Sequence, residues 1–278
     1  MMAPAPLSVL MAVYRNDNLQ YLRDSFDSVA VQIPAPEQIV IVRDGPVPSE
    51  IQHFLDELQA SRPHLVTLVQ LPQNRGLAEA LNEGLKACRN DLVARQDADD
   101  VSLPGRFAVQ LRSFHQDPGL ALVSSWYEQY DEKLSRKESV RRVPECHQHI
   151  AKYARYRTPF NHAAAVFRKS LVEKVGGYPQ INGLCEDWWL ALRLLKDNQR
   201  LHNVQSSLVK VRGGGNFYGR RRGWAYIAQE YRNLVGLRRE RLLTFRDTMA
   251  NLLIRLPIRL LPVSLLRIVY LGLLRSWR

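Results

Sequence analysis

Short apolar runs alternate with stretches of helical periodicity over roughly the first hundred residues. The runs with the length and composition of strands are Leu7–Val13, Gln38–Val42, Leu65–Leu71 and Asp91–Arg95. The stretches between them, with apolar residues at helical spacing, are Asn18–Val31, Ser49–Ala60 and Leu77–Cys88. Short runs that are apolar throughout are typical of strands buried on both faces. The pattern therefore predicts an α/β fold whose mainly parallel sheet is covered by helices.

The rest of the chain has a less regular pattern. It predicts strands at Leu120–Ser125, Ala163–Phe167 and Leu208–Val211, and helices at Phe107–Gln116, Ser170–Val175 and Trp188–Lys196. The charged stretch Glu128–Val143 predicts an exposed excursion from the sheet. From Gly223 onward the chain predicts a helical extension.

Polar residues directly follow the four predicted parallel strands. They are Tyr14, Asp44, Asn74 and the pair Asp97 and Asp99. In sheets of this kind ligands bind outside the carboxyl ends of the strands. Polar side chains delivered by four separate strands therefore predict a ligand site at this edge.

Asp97 and Asp99 belong to a run of three carboxylates that ends with Asp100. Successive strand residues point to opposite faces, so Asp97 and Asp99 fall on the same side of the sheet. Because two carboxylates on one face repel, a hard cation is expected between them, Mg²⁺ or Mn²⁺, bridging to a substrate's phosphates. The alternative is a solvated Asp-rich turn closed by Pro104 and Gly105.

The formal charge of +12 lies entirely in the last quarter of the chain. Residues 201–278 contain 15 Lys and Arg and three Asp and Glu, whereas residues 1–200 are balanced. Such a segment attracts polyanions, either nucleic acid or the anionic face of a membrane. Three cysteines without metal-type spacing indicate reduced thiols in a cytosolic protein. The N-terminus lacks the pattern of a signal peptide.

The stretch Met249–Trp277 is rich in Leu and Ile but also contains four arginines and two prolines. Arginine is costly at the middle of a bilayer, which argues against a spanning helix. A helix with one apolar and one basic face would instead lie in the membrane interface. The alternative is a helical hairpin that packs on the rest of the chain or in a dimer.

Several of these residues stand in the order found in one enzyme family. They are Tyr14, Asp44-Gly45, Asn74-Arg75-Gly76, Asp97-Ala98-Asp99-Asp100, Pro104, Arg106, Gly176-Gly177-Tyr178 and Glu186-Asp187-Trp188. This ordered set resembles the family-two glycosyltransferases of bacterial polysaccharide, capsule and O-antigen synthesis. The resemblance implies a GT-A catalytic domain over residues 1–222 and a basic, membrane-associated helical tail over residues 223–278. Arg43 departs from the family, which commonly has an acid before the Asp-Gly pair.

The resemblance also implies roles on the donor side of a site. Tyr14 would pack against the nucleobase and Asp44 would hydrogen-bond to its edge. Asp97 would contact ribose or sugar hydroxyls, and Asp99 would bind the Mn²⁺ or Mg²⁺. Further donor contacts are expected from Asn74, Arg75, Arg106 and Arg212. Arg75 and Arg106 could instead be structural counter-charges for the acids, and the loop of Arg212, Gly213–Gly215 and Arg220–Arg222 could be a mobile lid or a solvated basic loop.

On the acceptor side the resemblance implies that Asp187 is the general base. Displacement with inversion needs a carboxylate on the face opposite the leaving group. Helix N-termini also stabilise carboxylates, which is the structural alternative for Asp187. Trp188 or Trp189 would line the acceptor pocket while the other packs in the core, and His162 is a further candidate.

Together these features predict a metal-dependent, inverting glycosyltransferase that uses a nucleotide sugar, with a UDP-sugar as the expected donor. Its acceptor would be a glycan or lipid-linked oligosaccharide, on the cytoplasmic face of the inner membrane. The alternatives are another nucleotide-sugar enzyme, or a nucleic-acid-binding protein acting through the basic tail. The acids at the presumed ligand edge argue against the latter because they repel phosphodiesters, so no nucleic-acid partner is expected.

Overall fold

The computed structural model describes residues 5–181, 185–213 and 223–259. The strands are β1 (Ala5–Val13), β2 (Pro36–Asp44), β3 (Val66–Leu71), β4 (Leu92–Asp97), β5 (Val101–Ser102), β6 (Leu120–Tyr130), β7 (Lys137–Arg141), β8 (Val166–Arg168) and β9 (Arg200–Arg212). The helices are α1 (Leu19–Ala30), α2 (Ser49–Ser61), α3 (Leu77–Ala87), α4 (Arg106–Gln116), α5 (His147–Ala154), α6 (Lys169–Lys174), α7 (Glu186–Lys196), α8 (Trp224–Arg239) and α9 (Phe245–Ile258).

All nine strands belong to one mixed sheet, in the order β3-β2-β1-β4-β8-β6-β9-β5, with β7 paired to β6. Strands β3, β2, β1 and β4 are mutually parallel. Strand β8 runs antiparallel to β4 and to β6, whereas β9 runs parallel to β6. The predicted α/β fold with a parallel sheet is therefore confirmed in the first half, and antiparallel strands extend it.

The sheet is buried on both faces, which explains why its first strands are apolar throughout. Along β1, Leu7, Val9 and Met11 face a layer that contains α1, α2 and α4, while Leu10 faces a layer that contains α3, α6 and α7. Alternate residues of a strand point to opposite faces, so a strand covered on both sides has no polar face.

The second half differs from the sequence prediction in three places. The stretch expected to be an exposed excursion forms the β6–β7 hairpin, because β7 pairs with the extended end of β6. Strand β9 is much longer than the predicted Leu208–Val211. The expected strand Ala163–Phe167 is a 3₁₀ turn over His162–Ala164 followed by β8.

The predicted C-terminal helices are present as α8 and α9, and both pack on the sheet domain. Leu234, Leu237 and Leu243 share one buried cluster with Trp188 and Trp189 of α7. A capping box at the start of α9, between Thr244 and Asp247, fixes the turn between the two helices. Within the described parts of the chain, no helix has the length and apolarity needed to cross a membrane. Residues 260–278, which include most of the basic apolar stretch, lie outside the described residues.

Candidate active site

The carboxyl ends of the four parallel strands lie side by side. Ala12 of β1 is level with Asp97 at the end of β4, and Val13 is level with Arg43 of β2. Tyr14 follows β1 directly and is 39% exposed. The residues expected at one edge of the sheet are therefore located there.

Asp44 joins two of the loops at this edge. One carboxylate oxygen accepts from the backbone N–H of Arg75 (2.7 Å) and the other from that of Gly76 (2.9 Å). Asn74 donates its side-chain amide to the Asp44 carbonyl (3.2 Å). Gly45 has φ +80°, and a Cβ there would lie 2.4 Å from the Asn74 nitrogen, so only glycine permits this approach. The buried Asp44 therefore fixes the start of α3 as well as facing the edge.

Arg75 extends away from the acids, with its side chain 43% exposed and 3.5 Å from Glu79. Arg43, the departure from the family pattern, donates to Gln52 (2.7 Å). Neither arginine therefore serves as a counter-charge for Asp97 or Asp99.

The three acids after β4 have different surroundings. Asp97 pairs with the buried Arg95. Asp100 is buried and accepts from the Arg212 backbone N–H (3.0 Å), whereas Asp99 is exposed. Loss of solvation, followed by repulsion from Asp97, raises the pKa of Asp99 to about 6. Burial and repulsion from Asp97 and Asp99 raise the pKa of Asp100 well above its ordinary value.

A fourth acid, Asp17, belongs to the same group and was not selected from the sequence. It accepts from the Tyr14 backbone N–H (2.8 Å). Its pKa is raised to about 7, first by burial and then, against the effect of that hydrogen bond, by the charges of Asp99 and Asp97. The available sequence signal was its place in the polar run after β1, at the same sheet edge. We refer to Asp17, Asp97, Asp99 and Asp100 as the carboxylate edge.

The chemistry of the carboxylate edge fits a divalent cation shared with a ligand. The charge of Asp97 helps to raise the pKa of Asp17, Asp99 and Asp100, which is the electrostatic signature of a site that gains from added positive charge. No group of three or more His, Cys, Asp or Glu residues within the described residues has the arrangement of a metal site by itself. Mg²⁺ typically takes one or two carboxylates and completes its shell with phosphate oxygens and water. Asp99, with Asp97 or Asp17, could supply that protein share.

Arg106 is placed differently from the prediction. Its side chain is fully buried and donates to Gln96 (2.8 Å), Ser102 (2.9 Å) and Gln110 (3.1 Å), and to the Arg95 carbonyl (2.8 Å). Burial lowers its pKa to about 9. These contacts contradict the expected donor contact, because the guanidinium does not reach a ligand surface. As a counter-charge it acts on Asp100 and Asp97 without a direct ion pair.

Arg212 is also turned towards the protein. Its Nε donates to the Asp99 carbonyl (2.8 Å), one Nη to the Glu132 carbonyl (3.0 Å) and the other to Asp24 (2.6 Å), and its guanidinium stacks on Tyr21. This buried clamp contradicts the expected donor contact, since each side-chain nitrogen has a protein partner. The other residues of the expected lid, 214–215 and 220–222, lie outside the described residues.

A cavity of about 510 Å³ separates the carboxylate edge from the start of α7. Asp97 and Asp100 of the sheet edge line it together with Glu186 and Asp187 of α7. Asp44 and Asp99 are not among its lining residues, so they occupy the adjoining part of the edge.

The two acids at the start of α7 differ in orientation. Asp187 is half-buried, accepts from the Trp188 backbone N–H (2.7 Å) and is 3.4 Å from the Thr158 hydroxyl. Glu186 is buried and accepts from the Cys185 N–H (2.9 Å), and burial followed by repulsion from Asp187 raises its pKa. Asp187 is therefore the less buried of the two acids that line the cavity.

The two tryptophans of α7 separate as adjacent residues of a helix do. Trp188 lines the cavity and donates its indole N–H to the Ala154 carbonyl (2.7 Å). Trp189 is 4% exposed, does not line the cavity and packs against Gly236 of α8. This placement contradicts the expected acceptor contact of Trp189.

His162 lines the cavity with its ring 2.9 Å from the Tyr178 hydroxyl. Burial, followed by the nearby Arg95 charge, lowers its pKa well below the ordinary value. His162 is therefore neutral near pH 7, which suits hydrogen bonding better than binding of an anion.

Sequence reasoning missed the wall of the cavity opposite the sheet. Helices α8 and α9, the end of β7 and the loop after α5 supply it, with Arg141, Tyr156, Arg157, Thr158, Tyr226, Asn251, Ile254, Arg255, Ile258 and Arg259. Arg141 lies in the expected exposed excursion and the residues of α8 and α9 lie in the expected tail, while residues 156–158 belong to neither, so nothing local connected them with the acids.

Comparison with known proteins identifies the class of this fold and site. Residues 8–176 match the model of Glycosyl transferase family 2. The chain is 33% identical to the UDP-Gal:alpha-D-GlcNAc-diphosphoundecaprenol beta-1,3-galactosyltransferase of Escherichia coli over 97% of both chains. It is 34% identical to the amylovoran biosynthesis glycosyltransferase AmsE of Erwinia amylovora over 95% of this chain and 97% of that protein.

Among solved structures, the mannosyltransferase PcManGT from Pyrobaculum calidifontis, in complex with GDP-Man and Mn²⁺, superposes with a TM-score of 0.66 at 18% identity. The match covers 99% of this chain and 79% of that one. The chain therefore belongs to glycosyltransferase family 2 and has the GT-A fold, and both expectations from the sequence are confirmed.

Proposed function

We propose that this protein is a metal-dependent, inverting glycosyltransferase that moves a sugar from a UDP-sugar to a hydroxyl of a lipid-linked acceptor in polysaccharide synthesis. The observation that carries the proposal is the cavity lined both by Asp97 and Asp100 of the sheet edge and by Asp187 of α7. The Escherichia coli relative, by its name, uses UDP-Gal and GlcNAc on diphosphoundecaprenol. We infer the same classes of donor and acceptor here.

The donor nucleotide would occupy the sheet edge beside the cavity. The exposed Tyr14 ring offers a flat apolar face to a base, and Asp44 offers carboxylate oxygens to its N–H groups. Asp99 would hold the Mg²⁺ or Mn²⁺, with Asp97 and Asp17 adjacent. When bound, the cation supplies positive charge that stabilises the diphosphate leaving group.

Asp187 would accept the proton of the attacking acceptor hydroxyl. The half-buried carboxylate receives one backbone N–H bond from Trp188, at the N-terminus of α7, which keeps it ionised and fixed in direction. A base on the side of the cavity opposite the carboxylate edge is the arrangement that displacement with inversion requires. Trp188 would present its apolar face to the acceptor sugar.

Two substitutions separate these roles. Asp99→Ala is expected to abolish Mn²⁺-dependent binding of UDP, measured by calorimetry. Asp187→Asn is expected to retain that binding while transfer falls by about 10²- to 10⁴-fold, the usual contribution of a general base. Asp56→Asn, on the exposed side of α2, is the matched control for loss of a carboxylate. Undiminished turnover in Asp187→Asn would assign the base to another residue, and metal-independent UDP binding would contradict the role of Asp99.

We also propose that α8 and α9 bring the cavity to the cytoplasmic face of an anionic membrane. Their outward side chains are unusually apolar, with Trp224, Phe245, Leu253 and Ile254 each more than half exposed. Exposed arginines lie beside them at positions 232, 238 and 246. Aromatic and aliphatic side chains flanked by arginine are typical of segments that bind the interface of an anionic bilayer.

Point variants test this better than truncation, because α9 also forms part of the cavity wall. The double variant Phe245→Ser with Leu253→Ser is expected to release the protein from vesicles of phosphatidylglycerol and phosphatidylethanolamine in a sedimentation assay. The control is Val31→Ser with Ile33→Ser, which removes two equally exposed apolar groups after α1. Equal sedimentation of both variants would exclude α9 as the membrane contact.

A further inference from the structure

The cavity is lined by both acidic and basic side chains. The carboxylates that line it, Asp97, Asp100, Glu186 and Asp187, come from the sheet edge and from the start of α7. The cationic residues that line it are Arg141, Arg157, Arg255 and Arg259, which we call the arginine arc. The glycosyltransferase reaction proposed above uses the carboxylates and leaves the arginine arc without a role.

Residues 156–158 contact both the arginine arc and the proposed base, Asp187. The Thr158 hydroxyl is 3.4 Å from the Asp187 carboxylate, and the Thr158 carbonyl accepts from Arg141 (3.2 Å). The Tyr156 carbonyl accepts from Arg255 (3.2 Å). Arg157 lies between Tyr156 and Thr158 in the chain. The segment 156–158 therefore connects Asp187 with the guanidiniums of α9.

Two residues of the arginine arc share one acid of the wall. The buried Glu230 of α8 binds both Arg255 and Arg259, the latter at 2.7 Å. Although burial opposes its ionisation, these two arginines hold the pKa of Glu230 below its ordinary value. One carboxylate thus faces two guanidiniums, and Arg141 and Arg157 line the same cavity. This part of the cavity therefore presents several guanidinium groups to an anion.

The position of the arginine arc indicates which anion it receives. A donor diphosphate would lie at the carboxylate edge, where it needs a cation between itself and the acids. An acceptor whose hydroxyl reaches Asp187 would extend in the other direction, towards Thr158 and α9. The diphosphate of a lipid-linked sugar lies one sugar ring away from such a hydroxyl, and guanidinium groups bind phosphates with paired, charge-assisted hydrogen bonds.

We propose that the arginine arc is the binding site for the diphosphate of the acceptor, with Arg157 as its central contact. The lipid-linked nature of the acceptor rests on the proposed function. The site itself is a separate claim about where a diphosphate binds in this chain. It makes α9 part of the acceptor site, through Arg255 and Arg259, in addition to any contact with the membrane.

A binding experiment tests the site without knowledge of the acceptor sugar. With the donor site saturated by UDP and Mg²⁺, farnesyl diphosphate is titrated into the full-length protein and compared with farnesol. Arg157→Gln is expected to weaken binding of farnesyl diphosphate by about tenfold, the usual loss for a hydrogen bond to a charged group. Arg157→Lys is expected to lose less, because it keeps the charge but not the planar pair of donors.

The control is Arg142→Gln, at an exposed arginine close by in the sequence that stacks on Trp126 and does not line the cavity. It is expected to leave the binding of farnesyl diphosphate unchanged. Equal affinity of the wild type and Arg157→Gln, with both proteins folded by circular dichroism, would overturn the proposal. So would a wild type that binds farnesol as tightly as the diphosphate.

A kinetic experiment separates failure of the site from failure of the proposed function. The acceptors are GlcNAc α-linked to an alkyl diphosphate and GlcNAc α-linked to the same alkyl chain without phosphate. Arg157→Gln is expected to raise the KM for the first acceptor about tenfold while the KM for the UDP-sugar stays unchanged. Equally efficient transfer to the two acceptors would refute the diphosphate site but would leave the proposed glycosyltransferase activity intact. Diphosphate binding that depends on Arg157, without transfer to any lipid diphosphosugar, would keep the site and refute the acceptor class.

Discussion

Arg106 illustrates how a charged residue beside a ligand edge can serve the fold alone. It lies a few residues after the carboxylate edge, where a donor contact was a reasonable expectation. Its guanidinium instead satisfies Gln96, Ser102, Gln110 and the Arg95 carbonyl inside the sheet domain. A buried guanidinium without a carboxylate partner is tolerated because its N–H groups find neutral acceptors.

Arg106→Met should therefore lower the free energy of unfolding by about 3 kcal/mol, because buried acceptors lose their donor. The measurement is urea denaturation followed by circular dichroism, together with the KM for the UDP-sugar in the folded protein. The control is Arg112→Met on the exposed side of α4, expected within about 0.5 kcal/mol of the wild type. A stable Arg106→Met protein with a raised KM for the UDP-sugar would instead support a contact between Arg106 and the donor.

Asp17 gives a second prediction at the scale of single residues. Repulsion among Asp17, Asp97 and Asp99 is relieved when a cation binds, so the effect of removing one charge depends on the metal. Asp17→Asn should raise the midpoint of thermal unfolding in EDTA and should weaken the stabilisation that Mn²⁺ provides. The control is Asp27→Asn, at an exposed position of α1 outside the carboxylate edge. An equal rise of the midpoint with and without Mn²⁺ would separate Asp17 from the cation site.

At the scale of residues, the sequence identified the edge but not the orientation of its side chains. Tyr14, Asp44 and the Asp97–Asp100 run could be located because each directly follows a buried strand. The burial of Arg212 and Trp189 could not, because it depends on contacts with α1 and α8, far away in the chain. Asp17 lacked a local signal that distinguishes it from any polar loop residue.

At the scale of elements, prediction succeeded best for strands that are buried on both faces. The apolar runs of β1 and β2 are buried on both faces, and the pattern located all four parallel strands to within a few residues. Strand β7 (KESVR) is an exposed partner of β6 and has no such pattern. Most of β9 has mixed burial, so only its apolar end was recognised.

The contact between α7 and α8 provides a prediction at this scale. A Cβ on Gly236 would lie 2.9 Å from the buried ring of Trp189, so a larger residue must push the two helices apart. Gly236→Val should destabilise the protein by about 2 kcal/mol, in the range of overpacked cores, although glycine is usually unfavourable in a helix. Ala228→Val on the exposed side of α8 is the matched control, and both are compared by urea denaturation. A Gly236→Val protein as stable as the control would show that α8 is not closely held.

At the scale of the whole molecule, α8 and α9 pack on the sheet domain and contribute to the cavity. The sequence pattern placed a domain boundary at residue 222, since composition and charge change there. That boundary stays a prediction, but the helices beyond it pack on α7 and line the cavity of the acids. Part of the basic excess that suggested a polyanion partner is engaged there, because Arg255 and Arg259 bind Glu230.

Two buried carboxylates make the docking of α8 and α9 dependent on pH. Glu230 pairs with Arg255 and Arg259, and Asp247 of α9 pairs with Arg155 at 2.6 Å. Despite the opposing effect of burial, these arginines lower the pKa of both acids in the folded protein. Their stabilisation is therefore present above the unfolded values of 4.5 and 3.8, and it is lost as the pH falls through the folded values.

We expect α8 and α9 to detach from the domain before the sheet unfolds when the pH is lowered from 5 to 3. Hydrogen exchange followed by mass spectrometry should then show faster exchange in α9 than in β1, because β1 is held by neutral apolar packing. Asp247→Asn should lower stability by about 1 kcal/mol at pH 7, and this difference should shrink as the pH falls through the lowered pKa of the wild-type carboxyl. The control is Glu57→Gln on the exposed side of α2, and simultaneous loss of protection in α9 and β1 would contradict a separately docked pair of helices.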